Sequence, residues 1–449
     1  WSAFGAALIQ SSLGRRDSVR DWGSVVAKWA GMESRQTSSG AHPYDVIVIG
    51  GGASGLVAAI CAGRQGRRVL VCERSSSPGR KILASGGQRC NLSNTLTTEE
   101  FMGRVKPHGR FMGPALSQLG GAKLREFFRE IGLETVVHDG FRVWPERRKS
   151  SDVLAALVQE LERLEVDIAT DCHVHETRFE DGRFQVHYGG GAFHSNHLIL
   201  ATGGLALPGS GSNGQGYGFA ETFGHKCTPR YPAGVPLVTA EEWPAKCTAH
   251  TIGKARVTID LPKCGKLAAV GDLIFTRNGI RGPVVLDISR EISPLLEKHT
   301  KVPLLFNLCK GRNQEEWQQL FKSWHKDGSQ LVVDCLAQEL PKELAEVMCE
   351  LGELDNATKL SQLSGRDRER LIQVLVKTPL TVTGTTGYKG AFITRGGVKL
   401  KEVRPETMES KLQKGLFIVG EVLDMDGPCG GFNLQWAFAS GWLAALSTS

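Results

Sequence analysis

The 449 residues contain no Cys-x-x-Cys pair and no apolar run near the roughly 20 residues that a bilayer-spanning helix needs. They also lack any marked excess of one charge. Each absence removes a class of protein. The eleven cysteines are odd in number and scattered, so neither a disulfide framework nor a zinc site is indicated, and they suit a reducing compartment. No membrane span is expected. Lys and Arg number 54 against 47 Asp and Glu, a net charge of +7. Five basic and three acidic residues fall within positions 1–43, which leaves 49 minus 44, or +5, for the other 406. So weak an excess does not argue for nucleic acid, and a small-molecule substrate is the expected partner.

Positions 1–43 differ from the rest in being serine-rich, arginine-bearing and apolar in patches at 4–9 and 22–29. An organelle presequence, for plastid or mitochondrion, has this character. Asp17, Asp21 and Glu33 dilute it, and an N-terminal extension on a cytoplasmic protein is the alternative.

What is present begins at residue 44. The apolar run 46–49 suits a central parallel strand, and it leads directly into Gly50-Gly51-Gly52-Ala53-Ser54-Gly55. Gly50, Gly52 and Gly55 fill a G-x-G-x-x-G pattern: one for the tight turn, one for close backbone approach to a pyrophosphate, one for helix packing on the strand. Ala53 and Ser54 then open a helix whose N-terminus faces the anion. A second strand, 69–73, ends in Glu73, placed to accept the hydroxyls of an adenosine ribose, with Arg74 beside it.

The segment 75–94 is polar and glycine-rich. Its Arg80, Lys81 and Arg89 could neutralise phosphates, and Gly86 and Gly87 would let backbone amides reach a flat ring. A solvated surface loop is the alternative. Helices are predicted over 110–132 and from Ser151 to Leu164, with a hairpin turn at Asp139-Gly140 and β-type segments at 167–175, 183–188 and 194–200. The last ends in Ala201-Thr202-Gly203-Gly204, a strand tip suited to close passage by a dinucleotide. Gly209 to Gly214 repeats the glycine spelling with no strand before it, and reads as a turn opening a helix.

From about 225 short β-type runs punctuated by Pro and Gly suggest a β-barrel, followed by helical patterns at 313–325, 329–351 and 366–377. Near the end, an apolar run reaches Gly420-Glu421-Val422-Leu423-Asp424. Gly430-Gly431-Phe432-Asn433 then opens a small-residue helix able to offer amides to a pyrophosphate or a flavin carbonyl.

Four separated motifs, at 50–55, at 79–91, at 201–204 and at 420–435, together resemble the HI0933-like or BaiN/RdsA-type flavoproteins. The resemblance covers about 44–446. It implies an α/β fold with a glutathione-reductase-like FAD-binding Rossmann domain, discontinuous in sequence (44–209 and 378–449). The insertion, 210–377, would hold a β-barrel at about 225–310 and helices at about 311–377. It also implies one non-covalent FAD, its pyrophosphate held by Gly50, Gly52 and Gly55 and its adenosine ribose by Glu73, with Ala53, Ser54 and Arg74 also binding the cofactor. Arg80, Lys81, Gly86, Arg89 and Asn91 would lie beside the cofactor, with Ala201, Thr202, Gly203 and Glu421. Gly420 would also bind the cofactor, Asp424 would fall near the ribityl chain, and the amides of Gly430, Gly431, Phe432 and Asn433 would face the flavin ring. The chemistry expected is reduction of FAD by NAD(P)H and hydride transfer to an activated, enone-like double bond. A small-amine oxidase or a non-catalytic FAD-binding protein are the alternatives. No second Rossmann fingerprint is visible, so NAD(P)H would bind transiently. Tyr388, Lys389 and Cys90 are the candidates for catalytic residues, and Cys429 also falls near the flavin. The arginines at 147 and 281, where related sequences carry small residues, suggest an anionic substrate or simply face water.

Overall fold

The computed structural model describes residues 43–448 apart from 266, 310 and 325–327. The presequence expected at 1–43 lies almost wholly outside them.

Four apolar residues, 46–49, form the buried part of strand β1 (Tyr44–Ile49), and every one of them is at most 5% exposed. A strand covered on both faces has no solvent side, so its sequence runs apolar without alternation. Helix α1 (Ala53–Arg64) follows, and β2 (Val69–Cys72) returns parallel to β1 with Val46 opposite Val69. Beyond a short helix α2 (Arg80–Ala84) come β3 (Asp167–Ala169), β4 (Glu176–Glu180), β5 (Arg183–Tyr188) and β6 (Gly191–Leu200). The sheet order is β3-β2-β1-β6-β5-β4. β6 has two halves: residues 191–195 pair antiparallel with β5, and 195–200 run parallel to β1. Only its last three residues, Leu198, Ile199 and Leu200, are apolar and buried in an unbroken run, where the strand lies between β1 and the far side of the sheet. The segment predicted at 167–175 therefore splits: its first residues join the parallel edge, and the meander starts at Glu176.

The chain next builds a closed six-stranded barrel from β7 (Leu237–Thr239), β8 (Thr251–Ile259), β9 (Ala268–Thr276), β10 (Gly279–Arg281), β11 (Val302–Asn307) and β12 (Thr378–Thr385). Val257, Leu273, Phe275, Phe306 and Val382 fill it, and the helices between β11 and β12 pack Trp317, Phe321 and Met348 into the same core. The barrel ends at Thr385, not at the boundary expected near 310. A strand at 378–385 is needed because β11 and β7 would otherwise both be open edges. Between β10 and β11 runs helix α3 (Pro283–Lys298), which the sequence reading passed over.

The Rossmann sheet is completed by β13 (Leu416–Ile418), parallel to β6, and by α4 (Phe432–Leu446), which lies against α1. Gly441 allows that closeness, since a Cβ on it would stand 2.2 Å from Ser54 O; Gly55 does the same for α1 on β1, where a Cβ would stand 1.9 Å from Gly50 O.

Candidate functional site

The β1–α1 turn, the 80–91 segment and the start of α4 all open onto one cleft of about 530 Å³. The turn forms its first wall. Gly51 N–H donates to Glu73 Oε2 at 2.8 Å and Ser75 N–H to Glu73 Oε1 at 2.7 Å, so the carboxylate at the tip of β2 is held in place by backbone. No side chain caps α1, and its first turn carries no acid. Its orphan amides and positive dipole end therefore lie open to the cleft. Gly52 lies at this wall with an ordinary backbone, φ −84° and ψ −171°. A Cβ placed on it would meet no protein atom within 4 Å.

The opposite wall starts at α4, whose N-cap Gly431 likewise lacks a side-chain cap. Asn433 braces the loop before it, accepting from Gly427 N–H at 2.7 Å and donating to Gly427 O at 2.9 Å. Two uncapped helix N-termini thus face one cavity. Between them Lys81 Nζ reaches Glu421 Oε2 at 2.6 Å, and Glu421 Oε1 accepts from Thr394 N–H at 3.0 Å. The Thr202 hydroxyl is buried beside this space with no hydrogen-bond partner among the described residues.

At the α4 end the cleft is closed by the barrel side: Pro283 and Leu286 of α3, with Phe392 and Met425. Arg142, Trp144 and Arg89 border it on the Rossmann side, with the Arg89 guanidinium 5.4 Å above the Trp144 ring. Helix α3 grips the loop between β13 and α4. Asp287 Oδ1 accepts from Cys429 N–H at 2.7 Å. One turn on, Arg290 pairs with the buried carboxylate of Asp426 and donates to Asp426 O at 2.8 Å.

The model of the HI0933-like protein Rossmann domain matches residues 44–447. The chain belongs to the HI0933-like family. Among curated relatives it is 34% identical over 409 residues to the 3-dehydro-bile acid delta(4,6)-reductase of Clostridium scindens, covering 90% of this chain and 98% of that protein. It is 30% identical to the ribosomal RNA dihydrouridine synthase of Escherichia coli, covering 90% of this chain and 97% of that protein. For the Haemophilus influenzae protein of the same name the identity is 32%, with 90% and 98% covered. An HI0933-like chain of this kind is an FAD-dependent oxidoreductase.

The residues present fit that cofactor. The empty space over Gly52, the two open helix N-termini and the partnerless Thr202 hydroxyl supply what a pyrophosphate and a polar chain would occupy. Gly50, Ala53 and Ser54 line the cleft with Glu73 and Arg74; Arg80, Gly86 and Asn91 join from the second segment, and Ala201, Gly203 and Gly430 from the strand tips. The segment at 210–213, assigned by sequence to the insertion, lines this cleft as well.

Other nominated residues are placed elsewhere. Gly55 and Gly420 do not face the cleft but pack helices: a Cβ on Gly420 would stand 2.7 Å from Ser54 Oγ. Phe432 turns into the core against Phe101, ring centroids 4.6 Å apart, leaving only its backbone at the helix start. Asp424 does not line the cleft, which its neighbour Met425 lines instead: Met425 N–H donates to Leu423 O at 2.7 Å, so the backbone turns tightly at Asp424. Burial lifts its carboxyl above the usual range. Cys90 is fully buried outside the cleft, with its thiol pushed up to about 12 by burial, and is withdrawn as a catalytic candidate. Tyr388 and Lys389 line a neighbouring cleft of about 900 Å³ rather than this one, together with Arg74, Arg80 and His173. Neither Arg147 nor Arg281 lines either cleft; both are exposed, Arg147 lying 3.7 Å from Asp152, so the argument from them to an anionic substrate lapses.

Among the described residues no His/Cys/Asp/Glu group could hold a metal ion, and no helix is long and apolar enough to cross a membrane.

Proposed function

We propose that this chain is an NAD(P)H-driven reductase that saturates a ring carbon–carbon double bond conjugated to a carbonyl, with a small enone-like molecule as substrate. The observation that carries the reading is the apolar end of the cleft, where Trp144, Pro283, Leu286 and Phe392 leave room for a flat ring beside the uncapped start of α4. FAD, when bound and reduced, supplies a hydride. The residues of the chain orient the acceptor and exclude water: the aromatic and proline walls enclose the ring, and Arg142 offers donors to a carbonyl oxygen. The relatives' names agree in chemistry, since a bile-acid dienone and a uracil ring each present a double bond conjugated to a carbonyl.

That second relationship favours another reading, saturation of a uracil ring within RNA. The expectation that nucleic acid is no partner rested on charges counted along the chain. In the fold, Arg74, Arg80, His173 and Lys389 gather round the second cleft with one acid, Asp171, a net basic surface of the sort a phosphate backbone uses. An oxidase acting on small amines shares the cofactor and differs in its electron acceptor.

The test is anaerobic turnover of the flavin-loaded chain with NADPH or NADH and, in parallel, a 3-oxo-Δ4,6 bile acid or unmodified ribosomal RNA. A reduced bile-acid product with one equivalent of nicotinamide oxidised supports the first reading, and dihydrouridine in the RNA supports the second. Consumption of neither, with amines oxidised in air, would remove both.

A further inference from the structure

Reducing a conjugated double bond needs a proton as well as a hydride, and few groups at the cleft can give one. Lys81 is tied to Glu421, whose second oxygen is taken by the Thr394 amide. Glu73 is occupied by two backbone N–H groups. Asp139 is held below the usual carboxylate range by a hydrogen bond from His138, so it carries no proton to give. Arginine does not release its proton in proteins. Cys72 and Cys172 share a hydrogen bond with each other and lie beside Glu73, at the adenosine end. Cys429 differs. It lines the cleft between α3 and the start of α4, its backbone N–H is fixed on Asp287, and its thiol hydrogen-bonds to the same carboxyl.

On the reading that this is a reductase of conjugated double bonds, we propose that Cys429 is the proton donor, with Asp287 positioning it and relaying a proton from solvent. As a hydride adds to the β-carbon, the π pair forms a C–H bond at the α-carbon with the thiol proton, and the S–H electrons stay on sulfur. The thiolate regains a proton through Asp287. The sum is one hydride and one proton added to the substrate, with no other reactant. Burial holds the Cys429 thiol well above its ordinary range and lifts the Asp287 carboxyl too, while Arg142 and Arg290 oppose both shifts in part. The donor is therefore loaded at neutral pH.

The test starts from flavin-loaded protein reduced with dithionite, mixed without air with a 3-oxo-Δ4,6 bile acid. Wild type is expected to reoxidise rapidly and Cys429→Ala at least ~100-fold more slowly. Equal rates would overturn the role of Cys429 alone; reoxidation of neither protein would overturn the reductase reading beneath it. A second readout needs no turnover. Alkylation of Cys429 by iodoacetamide, followed by peptide mass, should be slow at neutral pH and accelerate only at a pH more alkaline than a free cysteine requires. In Asp287→Asn the rise should move to lower pH, because a negative neighbour of the thiolate is gone. Labelling at neutral pH at the rate of a free thiol, or none at any pH, would also overturn the proposal.

Discussion

Gly52→Val is expected to yield a folded protein that has lost its flavin. Its backbone lies in a region open to any L-residue, and a Cβ there meets no protein atom within 4 Å, so the apo fold has no reason to object. The added isopropyl group would instead occupy the space in front of the α1 amides. Displacing a pyrophosphate from two or three charge-assisted hydrogen bonds costs about 3–6 kcal/mol, on the order of a 10²–10⁴-fold loss of affinity. Gly55→Val, three residues on, should behave in the opposite way. Its Cβ would stand 1.9 Å from Gly50 O, so the packing of α1 on β1 must open, and the protein should lose stability whether or not flavin is present. Thermal unfolding and flavin content, measured on both variants, separate the two. A yellow Gly52→Val protein with normal affinity would show that the cleft holds no pyrophosphate at this turn.

Arg290→Met is expected to produce the largest loss of stability among single changes outside the glycine turn. Arg290 and Asp426 are each 9% exposed at the side chain, and removing the guanidinium leaves a buried carboxylate with only Arg395, 3.8 Å away. Breaking such a pair costs about 3–5 kcal/mol, lowering the unfolding midpoint by roughly 5–15 °C. Asp426→Asn in the same chain should recover most of the loss, since the stranded charge is then gone. Because α3 grips the 426–429 loop through both Arg290 and Asp287, the single variant should also release flavin faster. An unchanged midpoint would mean that the barrel and the Rossmann unit do not depend on this contact.

The sequence made the Rossmann half legible for a physical reason. A doubly covered strand, a glycine turn and an acid at the next strand tip are local and short, and Tyr44–Ile49, Ala53–Arg64 and Glu73 stand where the pattern puts them. The turn at Gly214 opening a helix at Gln215 was readable in the same way. The insertion was harder. Helix α3 was passed over inside a region read as β-type runs punctuated by Pro and Gly. Yet Pro283 occupies the first helical turn, where a missing N–H costs nothing, and Pro294 is carried inside the helix. With α3 went Leu286 on the cleft wall, and Asp287 and Arg290, which hold the 426–429 loop. The helix expected over 110–132 is broken at Gly120, and that over 329–351 at Pro341, because local breakers outweigh a continuing apolar period.

The candidates for chemistry were the least legible. Cys90 and Cys429 look alike in sequence, each beside a polar or glycine-rich stretch. Only the fold shows one sealed in the core and the other on the cleft wall against Asp287. Arg281 adjoins the cleft residue Pro283 in sequence, but its side chain leaves the barrel outward.

The central claim is that this HI0933-like chain passes electrons from bound flavin to a conjugated carbon–carbon double bond. Its most direct test is the reoxidation of the dithionite-reduced wild-type protein, followed by flavin absorbance, in one run with a 3-oxo-Δ4,6 bile acid and in another with air-saturated buffer. Fast reoxidation by the enone and slow reoxidation by oxygen is the expected result. Rapid reaction with oxygen and none with the enone would contradict the account and make the protein an oxidase.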